Sequence, residues 1–165
     1  MARKRVIQLS IAEIEHLALF LARKWMLWNE PIPDFHTRYP NALESCLSTP
    51  FMYFNQKPLY PRLVDKAAIL FYLLIKNHPF VNGNKRIAVT SLLVFLHNNG
   101  KWIKVEPEFL YKIAVDVAKS KPQQKDLMIG ALKAFITRFL TDAATPAQAS
   151  QATTTTASQQ EPSQS

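Results

Sequence analysis

The sequence has little cysteine, little glycine and no long apolar run, and each shortage excludes a class of protein. The single cysteine, Cys46, allows neither an intrachain disulfide nor a multi-cysteine metal site. Three glycines are too few for a turn-rich all-β fold, which uses glycine in its hairpins. No apolar run reaches the ~18 residues that a membrane span needs. The sequence therefore predicts a helical domain without thiolate chemistry and without a place in the membrane.

The N-terminal segment and the overall charge bear on location and partners. Arg3, Lys4 and Arg5 precede a stretch that Gln8 and Glu13 already make too polar for the core of a signal peptide, so we expect a cytoplasmic protein. The formal net charge is +8, which admits a polyanion partner. Beyond this N-terminal cluster, however, the basic residues are scattered and lack interleaved aromatic residues. Direct nucleic-acid binding is therefore not expected.

Apolar periodicity predicts an all-α domain over residues 1–140. Ser10 and Glu13 form a capping box at the start of a helix that should reach about Trp28. Further helices are expected at 42–48, from Pro107 to about 119, and from Pro122 to about 140. Residues 141–165 are mainly Ala, Thr, Gln, Ser and Pro, with little apolar surface to bury, so we expect a disordered tail there.

Two strongly apolar segments predict the centre of this domain. Every residue from Ala67 to Ile75 is apolar or aromatic, and only Thr90 and Ser91 interrupt the segment at 87–96. Each segment is too short for a membrane span and fits a helix that is buried on all sides. Because only a short polar loop joins them, the two helices should pack against each other as a central helix-loop-helix.

A proline-bounded segment, residues 51–60, carries aromatic residues on one side of a polar turn. This pattern fits a small β-hairpin with one exposed edge, and it fits an irregular loop held by its aromatic residues equally well. The sequence pattern alone leaves both alternatives open.

The loop between the two central helices has the composition of an anion site beside a histidine. Pro79 disfavours a helical conformation at His78, while Gly83 permits a positive φ. A helix that starts near Asn84 leaves free amide groups at its N-terminus, where anions bind, and Lys85 adds a positive charge. Histidine is suited to accept a proton from an attacking hydroxyl at neutral pH. These residues favour a transferase or a hydrolase, although an ordinary interhelical connection would use similar ones.

The run from His78 to Arg86, HPFVNGNKR, resembles the signature of the Fic/Doc (Fido) superfamily, whose usual form is HPFx(D/E)GN(G/K)R. The resemblance extends to Leu43-Glu44-Ser45, to Leu59-Tyr60-Pro61 with the helix that follows, and to the segment 93–96 before Asn99-Gly100. It covers most of residues 7–140. It implies a compact helical Fic/Doc-type core around the central helix-loop-helix, with a small β-hairpin flap beside the site.

The resemblance also implies a role for each motif residue. His78 would be the general base, and the phosphates of ATP would lie against the loop amides and the residues Gly83, Asn84, Lys85 and Arg86. The flap, Tyr53, Phe54, Asn55, Gln56 and Lys57, would align a target protein by strand addition. In the family the acidic position of the motif binds Mg²⁺. Asn82 stands there in this chain, and its uncharged amide oxygen is a weaker ligand than a carboxylate.

Lys85 narrows the expected reaction, because a lysine there resembles the Doc branch and a glycine is typical of Fic adenylyltransferases. Doc-like enzymes are toxins, restrained by an antitoxin protein, that transfer the γ-phosphate of ATP to a threonine of elongation factor Tu. The alternative is a Fic-like transfer of AMP to a Ser, Thr or Tyr hydroxyl. A third possibility, which Asn82 raises, is a degenerate member that binds nucleotide without catalysis.

Overall fold

The structure of the protein, a computed structural model, describes residues 4–25 and 31–144. Helix α1 consists of an α-helical turn at Ile11–Glu13, a π-helical turn at Ile14–Ala18 and a second α-helical part at Leu19–Trp25. The other helices of the described ranges are α2 (Pro40–Ser48), α3 (Leu63–Lys76), α4 (Asn84–Asn98), α5 (Pro107–Lys119) and α6 (Lys125–Phe139). The predicted all-α architecture is confirmed. Residues 26–28, predicted to end α1, and residues 145–165 of the predicted tail lie outside the described residues.

Helices α3 and α4 form the centre of the fold, as the two apolar segments predict. Every residue from Asp65 to Ile75 and from Arg86 to Leu96 is buried. The two helices pack against each other, α6 packs on α3, and α1 and α5 pack on α4. None of the helices within 4–25 and 31–144 is long and apolar enough to cross a membrane. The short connection from α3 to α4 therefore starts and ends on two buried central helices.

Two charged residues in the first turns of α3 are buried, which the apolar pattern does not predict. The carboxylate of Asp65 accepts hydrogen bonds from the backbone and guanidinium of Arg62, the latter at 2.8 Å, and lies 3.3 Å from Nζ of Lys133. Nζ of Lys66 donates to the carbonyl of Pro50 at 2.8 Å and lies 4.5 Å from the ring centre of Phe51. These contacts fasten the segment before the hairpin to the start of α3.

The π-helical turn in α1 lies where this helix contacts α4. The hydroxyl of Thr90, buried in α4, donates to the carbonyl of Ala18 at 2.8 Å. A π-helical turn has hydrogen bonds between residues five apart, whereas the α-helix on either side has them between residues four apart. Thr90 supplies a donor from the neighbouring helix at the end of the altered turn.

Two short antiparallel strand pairs complete the fold: β1 (Tyr53–Phe54) with β2 (Lys57–Pro58), and β3 (Lys101–Ile103) with β4 (Leu140–Asp142). The second pair was not predicted. It extends the ordered chain past Leu140, where the tail was expected to begin, because Thr141 pairs with Trp102 and Asp142 with Lys101.

Candidate active site

His78 lies at the end of α3 in an unusual backbone conformation. The helix ends at Lys76, Asn77 is its C-cap, and His78 follows with a φ of +44°. This is the position after a C-cap where helices commonly place a glycine in the left-handed conformation. A residue with a β-carbon costs about 1 kcal/mol more there. The sequence predicts only that Pro79 disfavours a helical conformation at His78. The structure ends the helix before His78 and places His78 in the left-handed region with an exposed side chain.

The loop after His78 is held closed by Phe80 and Asn84. The Phe80 side chain is buried, at 2% exposure, and anchors the loop in the core. The Asn84 side chain binds the Phe80 backbone twice: its Oδ1 accepts the N–H at 3.0 Å, and its Nδ2 donates to the carbonyl at 2.8 Å. Asn84 was predicted to bind phosphate. Its side-chain amide is engaged with the loop itself, so it also fixes the loop's shape.

The N-terminus of α4 points into this loop without a side-chain cap. Gly83 is the N-cap, with a φ of +73°. The first helical hydrogen bond runs from the Ile87 N–H to the Gly83 carbonyl at 2.9 Å. The amides of Asn84 and Lys85 precede that bond and have no acceptor within the helix. Together with the helix dipole, they favour an anion over a cation at this end of α4.

The two cations of the motif differ in their surroundings. Lys85 is half-buried, and its side-chain ammonium group makes no hydrogen bond or ion pair within residues 4–25 and 31–144. Arg86 is buried, at 5% exposure, and one terminal nitrogen of its guanidinium lies 3.6 Å from the place that a β-carbon on Gly83 would take. Both predicted phosphate ligands therefore lie in the first turn of α4, and Arg86 folds back beside the N-cap.

Residues 31–39, which we call the covering segment, pack over the loop. Ile32 and Pro33 lie against Gly83, and the ring centre of Phe35 lies 6.5 Å from that of Phe80. The N–H of Tyr39 donates to the carbonyl of Pro79 at 2.9 Å. Sequence reasoning treated this segment only as a proline-rich connection. Its content of prolines and aromatic residues was the one local sign that it packs against something.

The segment 51–60 forms the β-hairpin, which resolves the two alternatives left by the sequence. Tyr53 pairs with Pro58 and Phe54 with Lys57. The turn residues Asn55 and Gln56 both have positive φ, 47° and 61°, as a two-residue type I′ turn requires. The side chains of Tyr53 and Phe54 are 67% and 66% exposed, so the hairpin presents aromatic surface to solvent.

Comparison with known proteins places this sequence in a family. The sequence model of the Fic/DOC family matches residues 11–96, which is more than half of the chain. The chain belongs to the Fic/DOC family. It is similar to Toxin Doc of Mycolicibacterium smegmatis (strain ATCC 700084 / mc(2)155), with 56% identity over 41 residues, which are 25% of this chain and 32% of that toxin. No solved structure matches the chain.

Fic/DOC proteins generally use ATP with Mg²⁺, and the residues of this loop are a poor fit for a metal ion. Asn82 stands at the acidic position of the motif, and its Oδ1 accepts the N–H of Gly83 at 2.6 Å. No group of three or more His, Cys, Asp or Glu side chains within the described ranges is placed to bind a metal. Hard cations such as Mg²⁺ prefer charged carboxylate oxygens, and none belongs to this loop.

The single thiol, Cys46, lies away from solvent. Cys46 is fully buried in α2, and burial raises the pKa of its thiol to about 11, partly offset by a hydrogen bond with Asn77. A thiol that stays protonated at neutral pH is a poor nucleophile. His78 is the histidine of the loop, and its side chain is exposed.

Proposed function

We propose that this chain is a Doc-like toxin that transfers the γ-phosphate of ATP to a Ser or Thr hydroxyl of a protein, with a translation factor such as elongation factor Tu as its target. Fic/DOC proteins are typically enzymes that modify proteins with nucleotides. The observation that carries the proposal is the exposed His78 on a left-handed backbone, five residues before Gly83, the N-cap of α4. Lys85 favours phosphate transfer over AMP transfer, since a lysine there resembles the Doc branch.

The proposed reaction divides its work among the residues of the loop. His78 accepts the proton of the target hydroxyl, and the hydroxyl oxygen attacks the γ-phosphorus. The new O–P bond forms as the bond between the γ-phosphorus and the β,γ-bridging oxygen breaks, and ADP leaves with the electron pair. The amides of Asn84 and Lys85, together with the Lys85 and Arg86 cations, bind the phosphates. The exposure of His78 suits a substrate hydroxyl that arrives on another protein.

The hairpin Tyr53–Pro58 is the proposed docking edge for the target. Phe54 and Lys57 flank the two-residue turn and form the hydrogen-bonded pair, so the next pair, Tyr53 and Pro58, is not hydrogen-bonded. The N–H and carbonyl of Tyr53 therefore point away from β2. Pro58 has no N–H to offer on the opposite edge. An extended target segment accordingly adds to the β1 side, where Tyr53 supplies both a donor and an acceptor.

Isotope labelling tests the proposed reaction. The purified protein is incubated with a bacterial lysate and ATP labelled at either the γ- or the α-phosphate, with His78→Ala as the matched control. Protein label from γ alone, absent with His78→Ala, is the expected result. Label from α would instead establish AMP transfer. ATP binding without any labelled protein would establish a non-catalytic member and contradict the proposal.

The relative's name also suggests partners and a location for this chain. Because the chain is similar to a toxin of the Doc type, we propose that a separate antitoxin protein restrains it. A target in translation places its action in the cytoplasm. Co-expression with the product of the neighbouring gene should relieve any growth defect that the chain causes when it is overproduced.

A further inference from the structure

We propose that Asn82 binds a phosphate of ATP directly through its side-chain N–H groups and does not hold a metal ion. The inference rests on the proposed function, since it concerns the same loop and the same nucleotide. It starts from the mismatch between the metal that the family generally uses and the residues of this loop.

The orientation of the Asn82 amide is fixed by its neighbour. Its Oδ1 accepts the N–H of Gly83 at 2.6 Å. If the amide were turned over, Nδ2 would face that N–H, and two donors would oppose each other. The carbonyl end of Asn82 is therefore directed at the backbone. The end that remains is Nδ2, which carries two hydrogens and no lone pair for a metal.

The surroundings of Asn82 favour an anion over a cation. Gly83, whose N–H Asn82 binds, is the N-cap of α4, so the Asn82 amide lies at the positive end of the helix dipole. Lys85 and Arg86 follow within the first turn. Asn82 is half-buried, and Nδ2 makes no hydrogen bond within residues 4–25 and 31–144. A metal ion at this place would be repelled by these positive groups, and its one ligand from Asn82 would be the uncharged Oδ1, which already accepts the Gly83 N–H. A phosphate oxygen would instead accept a hydrogen bond from Nδ2.

This arrangement changes the expected role of Mg²⁺ in nucleotide binding. In a site with an acidic residue at position 82, the carboxylate needs the metal to bridge it to the phosphates. In this chain, position 82 would contact the phosphate without a bridge. ATP should therefore bind this protein about as well without Mg²⁺ as with it, and Asn82→Asp should create a dependence on Mg²⁺.

Calorimetric titration with ATP tests the inference in two buffers, one with EDTA and one with Mg²⁺. The proteins are the full chain, Asn82→Asp, and Asn41→Asp as the matched control, because Asn41 is exposed in α2 and undergoes the same change of charge. We expect the unsubstituted chain and Asn41→Asp to lose less than about fivefold in affinity in EDTA. Asn82→Asp should lose about tenfold or more in EDTA and regain it in Mg²⁺, as removal of a charge-assisted hydrogen bond predicts.

Two titration results would overturn this inference alone. One is a loss of more than about fivefold when Mg²⁺ is removed from the unsubstituted chain, since a donor at position 82 needs no bridge. The other is an Asn82→Asp protein that binds ATP in EDTA as tightly as the unsubstituted chain. Both results leave nucleotide binding, and with it the proposed function, intact. A chain that binds no ATP in either buffer would refute both proposals.

A direct spectroscopic readout separates a phosphate contact from a purely structural role. In the ¹⁵N–¹H spectrum, the side-chain NH₂ pair of Asn82 should move when a non-hydrolysable ATP analogue is added in EDTA. Asn82→Ala identifies the signal. A pair that stays in place while the backbone signals of Asn84 and Lys85 move would also overturn the inference.

Discussion

The Cδ1 atom of Ile32 lies 2.9 Å from the point that a β-carbon on Gly83 would take. Gly83 also has a φ of +73°, so an alanine there meets both a steric clash and an unfavourable backbone. We expect Gly83→Ala to lower the free energy of unfolding by about 2 kcal/mol and the affinity for ATP by about tenfold. Urea denaturation and calorimetric titration measure the two effects.

Gly130 provides the control for this substitution. It lies inside α6, where a β-carbon meets nothing within 4 Å. Gly130→Ala should raise the free energy of unfolding by up to about 1 kcal/mol, since alanine is the better helix former. If Gly83→Ala and Gly130→Ala behaved alike, the close packing of the covering segment on Gly83 would be refuted.

Asn84 should control the order of the loop through its two hydrogen bonds to Phe80. Asn84→Ala leaves the N–H and carbonyl of Phe80 without these partners, which should cost about 1–2 kcal/mol. Asn84→Asp retains the acceptor for the N–H and loses the donor to the carbonyl. Hydrogen exchange at the Phe80 amide should therefore be fast in Asn84→Ala and slow in Asn84→Asp. Equal exchange rates in the two variants would contradict this account of the loop.

The left-handed backbone of His78 predicts that a glycine at this position stabilises the fold although it removes the activity. His78→Gly removes the β-carbon that makes a φ of +44° unfavourable, so its free energy of unfolding should exceed that of His78→Ala by about 1 kcal/mol. Both variants should lose protein labelling because neither has a base. Equal stability of the two variants would show that no strain is present.

Tyr53→Pro tests the proposed docking edge of the hairpin. Met52 already has extended angles, φ −72° and ψ 152°, as the residue before a proline requires. The Tyr53 N–H makes no bond within the hairpin, so its removal should leave the fold intact. We expect KM for the target protein to rise about tenfold or more with ATP affinity unchanged, because a backbone donor to the incoming strand is lost. Tyr53→Ala keeps this N–H and should show a smaller rise in KM.

The acid stability of the protein should depend on Asp65. Hydrogen bonding with Arg62 lowers the pKa of Asp65 from 3.8 to about 2, against the opposing effect of burial. A lowered pKa stabilises the fold above the unfolded value, and that stability is lost as the pH falls from about 4 towards 2. Asp65→Asn should remove about 2 kcal/mol of this pH dependence, measured by urea denaturation across that range. The exposed Asp142, paired with Lys101, should have a weaker effect that added salt suppresses.

The sequence predicts those parts of the fold that depend on residues close together along the chain. The apolar segments at 67–75 and 87–96 are buried helices, the capping box of Ser10 and Glu13 begins α1, and the loop between α3 and α4 carries the motif. Each of these depends on residues within a few positions of one another. For the hairpin at Tyr53–Pro58, the sequence pattern left a hairpin and an irregular loop equally open. Its turn consists of Asn55 and Gln56, and a glycine there would have identified the turn type.

The parts that escaped prediction depend on contacts between distant residues. Strand β4 forms only because β3 lies about 40 residues earlier along the chain. The contact of Ile32 with Gly83 and the bond from Tyr39 to Pro79 join segments that no local periodicity relates. Burial of Lys66 depends on contacts of its Nζ with the carbonyl of Pro50 and the ring of Phe51, which lie about 15 residues earlier along the chain. The direction of the Asn82 amide likewise follows from its backbone surroundings and not from its position in the motif.

The loop of residues 78–86 depends on contacts with the covering segment, so its structure is not determined by the motif alone. The guanidinium of Arg23 in α1 donates a hydrogen bond to the carbonyl of Pro33 at 2.9 Å. The covering segment therefore contacts both the first helix and the loop. A graft of residues 78–86 into another helical pair would lack both the lid of Ile32 and Phe35 and the Tyr39 hydrogen bond to Pro79. Transfer of this chemistry to a designed scaffold would therefore require residues from α1 onwards, and the smallest transplantable unit is several times longer than the signature.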